Sequence, residues 1–137
     1  MLGRALTGSE IKYVTALSPG AFGAAGSSDS VDFSDFEFGT LIVHAGSVNT
    51  GFEAHVLRSG TSNGTFQGIG ASIGFNAGGG VGVRSFSMQS SAVHYKVYYT
   101  NGTGSANVGI LLVGQQPRKT PINQDSSTTV YSSILNA

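Results

Sequence analysis

The sequence predicts an all-β protein: a jelly-roll-like β-sandwich of about eight short antiparallel strands, with an extended arm at each end. Short segments in which apolar and polar residues alternate with a period of two recur along the chain. Glycine-rich turns separate them at short intervals, and the 21 glycines are about twice the usual share. No stretch shows a sustained helical period of about 3.6 residues.

Changes in composition and pattern along the sequence divide the chain into an N-terminal arm at residues 1–28, a sandwich at residues 29–114 and a C-terminal arm at residues 115–137. The C-terminal segment contains Pro117 and Pro121. Both prolines disfavour pairing inside a sheet and favour an extended path.

The beginning of the chain has two readings. Thr7 and Glu10 have the spacing of a capping box, which would begin a helix at Ile11. Residues 11–17 are equally compatible with a strand, because four of these seven residues are β-branched or aromatic. We favour the strand and expect Pro19 to end it.

The sandwich is predicted to open with a strand, a bulge and the start of a second strand. Val31, Phe33, Phe36 and Phe38 are interleaved there with acidic residues. The apolar run at residues 41–45 then predicts a strand near the middle of a sheet.

Turns are predicted at residues 47–51 and 60–64. Between them, Phe52, Ala54 and Val56 alternate with more polar neighbours, as in a half-buried strand.

Short segments at residues 66–69 and 71–75 are each interrupted by glycine and predict two short strands. The three successive glycines that follow have no side chain to pack, so residues 76–80 are predicted to be a flexible loop. Alternation over residues 81–88 predicts another strand.

The strongest prediction is one long β-hairpin over residues 93–113, around which the rest of the chain is organised. Asn101-Gly102-Thr103-Gly104 separates its two arms, and Asn-Gly tolerates the positive φ of a tight turn. A hairpin alone is marginal in water, so other strands must cover its apolar face. That face consists of Val93, Tyr95, Val97 and Tyr99 in the first arm and Ala106, Val108, Ile110 and Leu112 in the second.

The amino-acid composition argues against several classes of protein and site. Seven basic and seven acidic residues give a formal net charge of zero, without the clustered lysines and arginines of a nucleic-acid surface. Charged residues make up only 10%, which favours a protein that works inside an assembly. Cysteine is absent, which excludes disulfides and thiolate metal sites. We expect a soluble protein without an obvious export peptide or membrane span.

The candidate catalytic motif is G-x-S-x-G at residues 70–74. In an enzyme it lies between a strand and a helix, whereas here a glycine run follows that cannot form the helix. No acid, base and nucleophile group emerges from other motifs, so we predict that the protein is not an enzyme and has no catalytic residues.

Metal and glycan sites are also not indicated. The three histidines, His44, His55 and His94, lack metal-ligand spacing, although His44 and His55 could meet on neighbouring strands. The acidic residues between Asp29 and Glu37 do not follow a calcium-loop pattern. No tryptophan is present, and the five tyrosines lie mostly at strand positions expected to be buried. We therefore predict no metal and no cofactor.

Two parts of the chain resemble a known family. Ser30-Val31-Asp32-Phe33, the GTLIVHAG run at residues 39–46 and Thr50-Gly51 resemble its opening strands. YKVYY at residues 95–99 and LVGQQPRKTP at residues 112–121 resemble its last two strands and proline-bounded exit. The family is the jelly-roll cement, or decoration, proteins of tailed double-stranded DNA bacteriophages. The chain departs from it at residues 59–80, which are poorer in charge and richer in glycine.

The resemblance implies a virion protein that binds the outer capsid surface and bridges neighbouring major capsid protein subunits. It would be made in the cytoplasm of the bacterial host and act on the outside of the shell. A position at a joint between equivalent subunits favours a homodimer over a trimer. Direct nucleic-acid and membrane contacts are not expected. The alternative is a receptor- or glycan-binding sandwich module of a viral fibre or cell surface.

We predict that the arms supply the partner contacts, because they offer tethers on either side of a compact body. The candidate contact residues are Phe22, Arg118, Lys119, Tyr131, Ile134 and Leu135.

Overall fold

A computed structural model describes residues 11–89 and 91–117 of the chain. This part of the protein is built from strands joined by short turns, which confirms the all-β prediction. The strands are β1 (Lys12–Phe22), β2 (Gly26–Ser27), β3 (Val31–Asp32), β4 (Phe36–Thr50), β5 (Phe52–Ser59), β6 (Gln67–Phe75), β7 (Gly78–Ser87), β8 (His94–Thr100) and β9 (Thr103–Pro117).

The strands form two antiparallel sheets. Sheet A has the order β1-β9-β4-β7, and sheet B has the order β2-β8-β5-β6, with β3 also paired to β8. The pairs are nested around the turn between β5 and β6: β4 pairs with β7, β2 and β3 pair with β8, and β1 pairs with β9. Nested pairs folded over into two facing sheets make a jelly roll, so the predicted fold class is confirmed.

The predicted central hairpin is wrong in its pairing. β8 lies in sheet B and β9 lies in sheet A, so the chain crosses between the sheets at residues 101–102. The predicted inward faces are nevertheless confirmed: Tyr95 and Val97 are fully buried, and so are Ile110 and Leu112. The two apolar faces lie in opposite sheets and bury each other in one shared core, so neither face needs other strands to cover it.

Three crossings between the sheets lie together at one end of the sandwich. The backbone N–H of Gly102 donates to the carbonyl oxygen of Gly51 at 3.0 Å, and the N–H of Gly51 donates to the carbonyl oxygen of Asn76 at 2.9 Å. These residues connect β8 to β9, β4 to β5 and β6 to β7. Gly51 has a φ of 65°, a conformation that favours glycine at this sharp corner.

The described part of the predicted N-terminal arm is built into sheet A. Residues 12–22 form β1, which pairs with β9 along its length, as the strand reading of residues 11–17 favoured. Pro19 does not end the strand. The register shifts between Leu17 and Gly20, and this bulge accommodates the proline, which has no N–H for a ladder hydrogen bond.

Two segments that were predicted as a turn and a flexible loop belong mostly to strands. β4 continues to Thr50 through register shifts after Ala45 and Val48, so residues 47–51 are mostly a bulged strand end. The predicted flexible loop at residues 76–80 is also wrong, since β7 already begins at Gly78. A Cβ at Gly79 would lie 2.5 Å from the carbonyl oxygen of Gly46, so the glycine run allows a close backbone approach between the strands.

Other sequence predictions are confirmed. Residues 41–45 lie in β4, between β9 and β7 in sheet A. Phe52, Ala54 and Val56 are fully buried, and their alternating neighbours are more exposed. The two short strands predicted at residues 66–69 and 71–75 are instead one strand, β6, which contains a glycine of positive φ at residue 70.

An aromatic cluster fills the opposite end of the core. The ring centroids of Phe33 and Phe36 lie 5.9 Å apart, edge to face, and the Tyr95 ring lies 6.1 Å from Phe33 and 5.7 Å from Phe86. The Tyr95 hydroxyl accepts a hydrogen bond from the backbone N–H of Gln89 at 3.0 Å. Edge-to-face and tilted contacts add to the apolar burial of these rings.

The close approach at Gly79 predicts that Gly79→Ala destabilises the fold. The added methyl group would meet backbone oxygens of Ala45 and Gly46, which cannot move without shifting β4, so we expect a loss of about 1–3 kcal/mol in the free energy of unfolding. Gly68→Ala is the matched control, because its nearest neighbour is a Leu57 methyl at 3.8 Å. Urea unfolding followed by circular dichroism measures both. Equal stabilities of the two variants would contradict the placement of residues 78–80 in β7.

Candidate docking face

The outer face of sheet A carries exposed apolar side chains. Val81 and Val83 on β7 are 62% and 61% exposed, and Phe38 and Leu111 on the two central strands are exposed to more than a third. Scattered single apolar residues are ordinary on a protein surface, whereas a continuous group marks an interaction site. We call this surface the docking face.

Strand register makes the docking face continuous. Ile42 of β4 is the direct partner of Val83 on β7 and of Leu111 on β9, and Leu111 is in turn opposite Thr15 of β1. Directly opposed residues of antiparallel strands point to the same side of the sheet and lie about 4.5–5.5 Å apart. A row of four side chains therefore crosses all of sheet A.

A groove opens on the same face beside β1. The bulge in β1 brings Pro19 over Gly109, where a Cβ would lie only 3.0 Å from the proline Cγ. The groove has a volume of about 420 Å³ and is lined by Leu17, Ile42 and His44 among others. Because residue 109 is glycine, Pro19 of β1 can approach β9 closely at this point of the groove.

Polar groups near the docking face are engaged with one another. The Thr40 hydroxyl donates to the Gln115 side-chain oxygen at 2.6 Å and lies 3.3 Å from the Ser85 hydroxyl. Asn107 donates through Nδ2 to the Ser47 hydroxyl at 3.1 Å near the far end of the groove. The Thr40 contacts border the apolar row, so a partner that covers the row meets hydroxyl groups that already have hydrogen-bond partners within the protein.

The outer face of sheet B has a different character and is called the polar face. Its middle row runs Ser27, Tyr98, His55 and Ser72 across β2, β8, β5 and β6 as successive direct partners. Tyr98 is 39% exposed, in contrast to the buried Tyr95 on the same strand.

Two ionisable side chains on the polar face, His55 and Lys96, each lie close to a partner group. His55 Nε2 lies 3.5 Å from Glu53 Oε2, and the Lys96 ammonium lies 4.4 Å from the centroid of the Phe66 ring. At the edge, burial raises the pKa of Asp32, but hydrogen bonds from the Ser34 backbone and side chain, with the charges of His94 and Lys12, bring that pKa below its ordinary value.

One of the six contact residues predicted from the sequence, Phe22, lies in the described part of the chain. Arg118, Lys119, Tyr131, Ile134 and Leu135 lie outside the described residues. Phe22 is the last residue of β1, with its backbone opposite Ala106 on β9.

The docking face was not predicted from the sequence. Alternation placed Val81 and Val83 on one side of a strand, but both sides of that strand carry apolar residues, so the outer side was not identifiable. Gly82 identifies the inner side of β7, because it faces the Ile73 side chain of the opposite sheet. Val81 and Val83 alternate with Gly82 and therefore lie on the outer side.

The chemical motifs are placed as follows. Ser72 of the G-x-S-x-G motif lies within β6, and the chain continues into β7, so the strand–turn–helix context of a nucleophile elbow is missing there. His44 lies in sheet A and His55 in sheet B, so they are not on neighbouring strands. Within the described ranges no three His, Asp or Glu side chains gather as a metal site requires.

Residues 11–89 and 91–117 also contain no helix of the length and apolar character needed to cross a bilayer.

No protein-family model and no curated protein matches the sequence. Solved structures with detectable similarity include a CBM4 structure, with 11% identity, a TM-score of 0.46 and coverage of 77% of this chain and 71% of that chain. A structure from infectious bursal disease virus, Gx strain, has 11% identity and a TM-score of 0.41, over 75% of this chain and 30% of that chain. The Tobacco streak virus coat protein has 12% identity and a TM-score of 0.37, over 95% and 100%. Matches at this level identify no function for this chain.

Proposed function

We propose that the protein is a structural virion protein, a capsid cement that binds the outer capsid surface and holds neighbouring major capsid protein subunits together. The observation that carries this proposal is the docking face, on which Val81 and Val83 stay about 60% exposed in a folded body. Exposed β-branched residues on the outer face of a sheet suit burial against another protein better than solvation.

A cement needs adhesion and no reactive centre. Burial of apolar surface contributes about 25 cal/mol per Å², so one docking face gives a modest interaction. Many copies on one shell, each touching two subunits, multiply the effect through effective concentration. The outward pressure of packaged DNA is then resisted by contacts that must all separate together.

The sequence resemblance supports the same proposal. The segments at residues 30–51 and 95–121 resemble jelly-roll cement proteins of tailed bacteriophages, including that of a Bordetella phage. On this proposal the protein is made in the bacterial cytoplasm and acts on the outside of the virion. It is not an enzyme, needs no metal or cofactor, and contacts neither nucleic acid nor membrane directly.

The proposal includes a homodimer. β7 is the last strand in the order of sheet A, and among the described residues its other side is not paired in the sheet. Its sequence, Gly78 to Ser87, contains one charge and no proline, so it lacks the usual devices that prevent edge pairing. Antiparallel pairing of two copies about a two-fold axis would extend the docking face across both.

Replacement of Val81 and Val83 by lysine is expected to weaken capsid binding about tenfold or more. Each substitution places a charge where apolar surface would be buried, and 1.4 kcal/mol corresponds to a factor of ten in affinity. Both positions are exposed, so the unfolding temperature should change little. Cosedimentation with capsids that lack the protein measures the affinity. Ser72→Lys on the polar face is the charge-matched control, and equal binding by the double variant would remove the docking face from the mechanism.

Dimerisation is expected in solution at concentrations that saturate capsids. Sedimentation equilibrium should give about twice the chain mass of 14.0 kDa. A monomer under these conditions would contradict the two-fold arrangement while leaving capsid binding itself untouched.

Deletion of residues 122–137 is expected to leave the sandwich folded but to lower its occupancy on capsids. The proposed contacts Tyr131, Ile134 and Leu135 are lost in this variant, whereas Phe22, Arg118 and Lys119 remain. Cryo-electron microscopy of reconstituted shells gives the occupancy, and circular dichroism checks the fold. Unchanged occupancy would show that the C-terminal segment is not a tether.

A further inference from the structure

We propose that the polar face of sheet B is a saccharide-binding surface that takes the interior of a neutral polysaccharide chain. This function goes beyond capsid binding and uses the opposite side of the sandwich. The proposal rests on the row of side chains centred on Tyr98.

The row places hydrogen-bonding groups on both sides of an aromatic ring. Tyr98 has Ser27 as its direct partner on β2 and His55 as its direct partner on β5, and Ser72 follows on β6. Neighbouring strands lie about 4.8 Å apart, which is close to the width of one pyranose ring. A sugar ring on Tyr98 would therefore have a hydroxyl or imidazole within reach on either side.

Tyr98 itself is unusual on its strand. Tyr95 and Val97 are fully buried, whereas Tyr98 keeps 39% of its surface exposed in the middle of a sheet face. An exposed tyrosine offers an apolar ring for the C–H face of a sugar and a hydroxyl for its O–H groups. Tyrosine also contributes contact area at a low cost in side-chain entropy, which suits a preformed surface.

The rows on either side of this ring have glycine on β6. On β6, Gly68 lies opposite Leu57 and Gly74 lies opposite Glu53. Both glycines lack a side chain, so the Ser72 side chain between them stands out on this face. The Glu53 side chain lies against Gly74, where a Cβ would be 3.2 Å from the glutamate Cγ. The Glu53 side chain therefore occupies the space above Gly74, while Ser72 lies directly opposite His55.

The ligand class follows from the charges on the face and from the row that crosses it. Glu53 lies beside His55, and the Lys96 ammonium is held over the Phe66 ring, so the face has no cluster of one sign to attract an ionic ligand. Uncharged hydroxyl groups match the serine, tyrosine and imidazole groups present. A row that crosses four strands of one sheet offers contacts along the middle of a chain, whereas a closed pocket would select a chain end.

Affinity gel electrophoresis tests the proposal on the full-length protein with a panel of neutral polysaccharides: dextran, mannan, galactan, xylan, starch and β-glucan. At least one gel should retard the wild type. Tyr98→Ala and His55→Ala should each reduce the retardation at least fivefold, and Tyr98→Phe should keep most of it. Val81→Lys with Val83→Lys, on the opposite face, should be retarded like the wild type. Thermal unfolding confirms that each variant is folded.

Nuclear magnetic resonance titration with an oligosaccharide from the retarding polymer then locates the site. Shifts should centre on Ser27, His55, Ser72 and Tyr98. The proposal is overturned if no polymer retards the protein, if folded Tyr98→Ala and His55→Ala are retarded like the wild type, or if the shifts fall on sheet A. None of these results bears on capsid binding, which is measured with shells.

Discussion

The fold depends on the two sheets burying each other's inner faces, with the strand connections crossing repeatedly from one sheet to the other. Tyr95, Val97, Ile110 and Leu112 are fully buried because β8 and β9 enter the core from opposite sheets. Such a core is stable only if the chain turns sharply at its corners. The backbone hydrogen bonds between residues 102, 51 and 76 hold three of those corners together, and Gly51 turns one of them with a φ of 65°.

The inner faces of the two sheets bury each other, so the outer faces are not needed for the core and can differ in character. Sheet A presents an apolar row from Val83 through Ile42 to Leu111, with a groove walled by Pro19. Sheet B presents a row of polar and aromatic groups around Tyr98. The two proposals assign protein contact to the first face and a hydroxyl-rich ligand to the second, on the opposite side of the same body.

Periodicity in the sequence predicted which residues face inward but not which strands pair. Alternation around Tyr95 and Ile110 marks the buried sides correctly, because each side chain must point to one face or the other. The Asn101-Gly102 segment fits a hairpin turn equally as well as a crossing between sheets, so turn chemistry left the pairing undetermined. Pro19 was tolerated because a bulge in an edge strand removes the need for its N–H.

The candidate surfaces were harder to predict than the fold. Glycines 78–80 lack side chains, and their strand conformation depends on the bulge of β4 that lies against them, which is a long-range effect. The exposure of Val81 and Val83 likewise depends on which side of β7 meets Ile73 across the core. Tyr98 lies on the side of β8 opposite Tyr95 and is exposed, whereas tyrosines on strands were expected to be mostly buried.

The orientation of the sandwich on a capsid tests the central claim most directly. A cryo-electron microscopy reconstruction of shells saturated with the protein should show sheet A against the major capsid protein, with Val83 and Leu111 covered and Tyr98 pointing to solvent. A reconstruction with sheet B against the shell and the apolar row of sheet A in solvent would contradict the account.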